Sequence, residues 1–140
     1  MLSRVTQRAI VLATRGYTLV EVLIVITLIV LLTSVGLATY TNSVRRAREA
    51  VLKEDLFRMR DAIDQYYADK NKYPSTLQDL VSDGYLRDIP KDPITDSADT
   101  WVTENAEPDP NNLSAEPGIF DVKSGSEETS MEGTKYSEWD

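Results

Sequence analysis

From Val22 to Val44 the chain runs twenty-three residues without a charge, and VLIVITLIVLLTSVGL (22–37) is densely apolar. A helix rises ~1.5 Å per residue, so roughly twenty such residues cross the hydrocarbon of a bilayer. The run predicts a membrane-spanning helix, in which Thr27, Thr33, Ser34 and Gly36 are tolerable and favour helix–helix contact. The pattern then becomes amphipathic. Leu52, Leu56, Met59, Ile63 and Tyr66 step by four, three, four and three, which places them on one helical face. The opposite face is charged, and Glu49 with Lys53 and Glu54 with Arg58 predict i,i+4 pairs. No Pro or Gly interrupts 37–71, so one helix is expected from about Tyr17 to about Lys70, ~80 Å long.

Pro74 predicts the end of that helix, because the residue before a proline is pushed out of the α region. STLQDLVSDGYL (75–86) predicts a short helix capped by Ser75 or Thr76 and closed by Gly84, with Leu77, Leu80 and Val81 on its inner face. Pro90 and Pro93 predict an extended segment. TWVT (100–103) and GIFDV (118–122) are the strand candidates, joined by the proline-punctuated loop ENAEPDPNNLSAEP. The expected fold class is α+β: a long N-terminal helix, transmembrane and then amphipathic, packed on a small loop-rich antiparallel sheet domain.

Composition narrows the chemistry. There is no cysteine and no histidine. Disulfides, zinc sites and Ser/His/Asp or Cys/His catalysis are therefore excluded, and acids alone supply no recognisable catalytic pair. The net charge is −8, unevenly spread: from Asp96 onward twelve acids face only Lys123 and Lys135. Such a surface repels nucleic acid and anionic headgroups. The globular part, beginning near Asn71, is only about seventy residues, so its core is thin and gains from a long helix packed on it.

One carboxylate is out of place. Glu21 stands at the mouth of the apolar run, in RGYTLVEV (15–22), after a stretch that carries Arg4, Arg8 and Arg15 and no acid. A cleaved signal peptide accounts for the basic start and the apolar core, with a cut near Ala38, but leaves an acid in its basic region. A signal anchor tolerates Glu21 at headgroup level. The arginines on both sides, with Arg45, Arg46 and Arg48 following the run, do not decide orientation. In a third reading the chain is cut between Gly16 and Tyr17. Glu21 then pairs with the new α-amine of a neighbouring copy and fixes the register of parallel helices, since paired charges are far better tolerated in lipid than separate ones.

Gly16, Thr18 and Glu21, followed by an uncharged helix, resemble the type IV prepilin motif, or class III signal sequence. The resemblance implies cleavage after Gly16 and N-methylation of Tyr17 by a prepilin peptidase. Phe is usual where Tyr17 stands. Further on, DQYYADKNKYPSTLQDLVSDGYLRDIPKDP resembles the major pseudopilins of type II secretion systems, with Tyr73, Pro74, Pro90, Asp92 and Pro93 on matching places. GIFDVKSGS and the closing YSEW match their C-terminal pattern. The absence of cysteine agrees, since many type IV pilins close a C-terminal loop with a disulfide and these pseudopilins do not.

Two departures stand out. The family usually carries a proline part-way along the first helix, where this chain has Gly36 and Ala38. These pseudopilins also typically bind calcium through C-terminal acids, and calcium takes roughly six to eight oxygens. Asp121, Glu127, Glu128 and Glu132 are available, but Lys135 and Tyr136 stand where paired acids are expected. A solvated acidic loop is favoured over a calcium site, and no cofactor is assigned.

The expectation is a leader (1–16), a transmembrane and assembly half-helix (17–44), an amphipathic half-helix (45–70) and a periplasmic globular domain (71–140). The resemblance implies a non-enzymatic subunit of the inner membrane that polymerises with itself into a periplasmic pseudopilus. Its partners are the peptidase, an inner-membrane assembly platform and minor pseudopilins, and no nucleic acid. Gly16 and Tyr17 carry processing; Thr18 and Glu21 carry assembly. The alternative is a surface type IV pilin, for adhesion, motility or DNA uptake. A third reading is an anchored periplasmic domain that never polymerises. The stripe from Leu52 to Tyr66 is expected to be the seam onto the globular domain, and Arg45, Arg46 and Arg48 a headgroup anchor or a pairing site for a neighbour's acids.

Overall fold

A computed structural model describes residues 16–108, 110, 111, 114 and 116–140. It divides between Thr39 and Tyr40 into two compact units, and a single helix, α1 (Leu19–Lys70), contributes to both. The second unit adds α2 (Leu77–Ser82), β1 (Val102–Asn105), β2 (Ile119–Lys123) and a closing 3-10 turn, Tyr136–Glu138. The fold is α+β: a long helix with an antiparallel two-stranded sheet packed on its second half.

In the first unit the large apolar side chains of α1 are all exposed, from Leu19 (78%) to Leu37 (63%). This stretch is long and apolar enough to cross a membrane. Three of its hydroxyls are satisfied within the helix. Thr27 donates to the Leu23 carbonyl at 2.7 Å, Ser34 to Val30 at 2.7 Å and Thr39 to Val35 at 3.1 Å, which is what apolar surroundings demand of a polar group.

In the second unit the predicted stripe is the core. Leu52, Leu56, Met59, Ile63 and Tyr66 are all buried, and Ala62 joins them. Leu52, Leu56 and Met59 pack with Trp101, Val122, Tyr136 and Trp139. Ala62, Ile63 and Tyr66 pack with Leu80 and Ile119. Each fully buried Leu, Ile or Met contributes about 1.5–3 kcal/mol of transfer free energy, so the helix supplies the core that a seventy-residue domain lacks on its own.

α1 ends earlier than Pro74 requires. Asn71 takes a left-handed conformation (φ 55°), and its N–H closes onto the Tyr67 carbonyl at 2.8 Å. Asparagine tolerates that region and stops the helix there. α2 starts at a reciprocal cap. The Asp79 N–H donates to Thr76 Oγ1 at 3.3 Å, and the Thr76 N–H donates to Asp79 Oδ2 at 2.9 Å. Gly84, at φ 81°, closes α2 as expected.

The extended segment expected across Pro90 and Pro93 is a turn at Pro93. Buried Asp92 accepts from the Ile94 N–H at 2.8 Å on Oδ1, and Asp92 and Ser97 pair as a bridge around the turn. An aspartate that bonds its own backbone two residues on makes such a turn. The first strand likewise begins two residues later than the TWVT reading. Trp101 is buried, and its indole N–H donates to the Pro90 carbonyl at 2.8 Å, so it serves as an anchor before the strand. Val102, Thr103 and Glu104 pair with Lys123, Val122 and Asp121, and the register shifts at Asn105. At Gly125 an added Cβ would stand 2.0 Å from the Thr100 carbonyl oxygen, so only glycine lets these backbones meet.

The Glu54–Arg58 pair forms at 2.9 Å, on the surface. The expected Glu49–Lys53 pair does not. Glu49 turns toward the C-terminal loop, and the Lys53 ammonium lies 4.9 Å from the Trp139 ring centroid, where a cation meets an aromatic face.

Candidate functional site

The residues expected to carry processing and assembly sit together at the start of α1 by sequence adjacency. Arg4, Arg8 and Arg15, in the segment expected to be a leader, lie outside the described residues. Gly16 and Tyr17 are exposed coil. A Cβ added at Gly16 would meet nothing within 4 Å, so neither space nor fold requires glycine at this position. Tyr17 is 80% exposed. Thr18 is the helix cap: the Glu21 N–H donates to its Oγ1 at 3.1 Å, and the Val22 N–H donates to its carbonyl at 3.1 Å. Glu21 lies in the first turn, where the helix dipole favours a negative charge.

TLVE is thus an N-cap sequence, threonine followed three residues later by glutamate. Reading Thr18 and Glu21 for assembly alone passed over this local role. The signal was there in the spacing. Capping involves the Thr18 hydroxyl and leaves the Glu21 carboxylate exposed.

Arg45, Arg46 and Arg48 do not act as one group. Arg45 donates to the Thr129 carbonyl and lies 3.9 Å from Glu49. A hydrogen bond with Tyr136 holds the Arg45 guanidinium more firmly in its charged form than usual. Arg46 and Arg48 are exposed.

The four acids weighed for calcium are dispersed. The Asp121 carboxylate accepts from Arg60 Nε at 2.7 Å and from the Val122 N–H at 2.8 Å. Glu127 accepts from Lys135 Nζ at 3.3 Å. Glu128 and Glu132 lie exposed along the loop and enter its turns through backbone groups, the Glu128 carbonyl accepting from the Tyr136 N–H at 3.1 Å. Among the described residues no three acids gather where a metal ion would be held. The donor set does not fit a calcium cage, because two of its four carboxylates already serve cationic side chains.

A different constellation joins the C-terminal loop to α1. Glu49 Oε1 accepts from the Tyr136 hydroxyl at 2.8 Å and from the Met131 N–H at 2.8 Å. Arg60 donates to the carbonyls of Val122 at 3.0 Å and Trp139 at 2.9 Å while pairing with Asp121. Sequence reading missed this because the partners stand 87 positions apart in the case of Glu49 and Tyr136.

No family model matches the chain, and no solved structure matches it. Among curated proteins, it is 30% identical over 95 residues to the type II secretion system core protein G of Pectobacterium carotovorum subsp. carotovorum, with 56% of this chain and 61% of that one covered. It is 32% identical to the core protein G of Klebsiella pneumoniae, covering 56% of this chain and 68% of that one. With that of Escherichia coli (strain K12) the identity is 28%, and 66% of the relative is covered. The chain thus spans about three fifths to two thirds of the length of the curated relatives it matches. On this similarity, and with an exposed apolar helix followed by a small α+β unit, the chain belongs to the family of type II secretion system core protein G.

Proposed function

We propose that the protein is a structural subunit of a periplasmic pseudopilus in type II protein secretion. The observation that carries this is its family membership together with a helix whose apolar surface from Leu19 to Leu37 is left uncovered. Uncovered apolar surface on that scale needs lipid or other helices around it. A subunit stored in the inner membrane and then stacked helix against helix meets both demands in turn.

In this reading residues 1–16 are a leader, 17–44 the membrane and assembly half-helix, 45–70 the amphipathic half and 71–140 the periplasmic domain. A prepilin peptidase cuts after Gly16 and methylates Tyr17. The Glu21 carboxylate of one copy pairs with the Tyr17 amine of its neighbour. An inner-membrane platform and minor pseudopilins are the other partners, and the subunit performs no chemistry of its own. Glu21 lies within the helix-capping pattern, yet its carboxylate is exposed and available to an amine.

Co-production with a prepilin peptidase tests the reading. A mature chain beginning at N-methylated Tyr17 is expected by mass spectrometry, and sheared filaments should contain it. Glu21→Val should be cut normally and yield no filaments. A Glu21→Val chain that assembles like the parent would overturn the Glu21 pairing, and a cleaved parent chain that yields no filaments would leave only a membrane-anchored domain.

A further inference from the structure

We propose that the C-terminal loop, residues 124–139, is clamped by side chains of α1, with Glu49 as its anchor, and that it holds its structure without a divalent cation. The resembled pseudopilins suggest calcium for this loop, and here the residues disagree.

Calcium demands roughly six to eight oxygens and a strongly anionic cage. In this loop and beside it, two cations already occupy the relevant ground. Lys135 Nζ pairs with Glu127, and the Arg60 guanidinium pairs with Asp121. A divalent ion brought among them would be repelled by the ammonium and the guanidinium that took those carboxylates. Nor does the loop leave a polar demand for a ligand to fill. No buried side-chain nitrogen or oxygen among the described residues lacks a hydrogen-bond partner.

The polar groups of the loop are met from within the chain. Glu49 Oε1 takes the Tyr136 hydroxyl and the Met131 N–H, both at 2.8 Å, with its side chain only 13% exposed. Arg45 reaches the Thr129 carbonyl and Arg60 the Trp139 carbonyl. Inside the loop, the Trp139 indole N–H donates to Thr134 Oγ1 at 2.9 Å, and the Thr134 N–H donates to Ser130 Oγ at 3.2 Å. Lys135–Glu127 is exposed, and exposed ion pairs contribute little. The weight rests on Glu49, whose two bonds are charge-assisted and partly shielded from water. One helix turn thus does for this loop what a bound cation does elsewhere, and Tyr136 is its positioning partner.

The test uses the full chain in detergent micelles and reads hydrogen exchange across 124–139, in chelator and in millimolar calcium chloride. The expected result is the same exchange in both. Glu49→Ala and Tyr136→Phe should each speed exchange of the loop amides about tenfold, with the amides of α2 unchanged. Should Glu49→Ala fail to fold, Tyr136→Phe, which removes one oxygen, carries the test. Slower exchange in calcium than in chelator would overturn the proposal. So would loop exchange unchanged in the variants that fold. Neither outcome depends on whether the subunit assembles.

Discussion

At Asp92 a single side chain decides the path of the backbone. It is fully buried, accepts the Ile94 N–H on Oδ1, and takes the Ser124 hydroxyl on Oδ2. It therefore ties the Pro93 turn to the segment just after β2. Replacing it strips buried donors of their acceptor, which costs about 1–3 kcal/mol per group. We expect Asp92→Ala to destabilise the second unit by about 3 kcal/mol in chemical denaturation, and Ser124→Ala by about 1 kcal/mol. Equal, small effects of the two would contradict this. Tyr136 gives the same scale a pH dependence. Burial, foremost, pushes its phenol above the ordinary value of about 10; the bond to Glu49 pushes the same way, and Arg45 opposes. Because the folded value is raised, folding favours the protonated phenol. The clamp's contribution is complete below pH ~10 and is lost as pH rises through the higher folded value. The bond to Asp69 raises the Tyr85 phenol as well, so an ultraviolet titration should show a late-ionising tyrosine fraction that Tyr136→Phe reduces but does not abolish.

At the scale of elements, what was legible followed from periodicity. The five-residue stripe from Leu52 to Tyr66 is the buried face of α1, because a 3.6-residue period leaves few alternatives for so regular a set. The Thr76 cap and Gly84 stop of α2 were legible for the same local reason. Other features turn on contacts that spacing does not encode. Glu49 stands four residues from Lys53, yet bonds Tyr136 and Met131 across the chain. Trp101, strand-like by type, is spent on the Pro90 carbonyl. Pro93, extended by habit, opens a turn because Asp92 precedes it. The seam itself makes a prediction. Ile63→Ala, at 0% exposure between Leu80 and Ile119, should cost about 2–5 kcal/mol. Asp64→Ala, one position on and exposed, should stay within about 0.5 kcal/mol. Thermal unfolding of the two variants side by side checks it.

At the scale of the whole molecule, the sequence divides its labour along the chain. Among the described residues nothing covers the apolar helix surface in the first unit, and the second unit carries most of the acids and a small core whose buried side-chain polar atoms all have partners. The candidate assembly site was conspicuous in sequence because Glu21 is the sole acid before Glu49. The Thr18 cap on the same turn follows from the three-residue spacing of Thr18 and Glu21. The relation to core protein G supports the proposed setting in secretion. The measurement that tests this setting most directly compares the extracellular and periplasmic proteomes of a strain lacking the gene with its parent. The account predicts that a defined set of folded proteins leaves the medium and accumulates in the periplasm, restored by the intact chain and not by Glu21→Val. Unchanged secretion with loss of surface filaments would contradict it and make the protein a pilin.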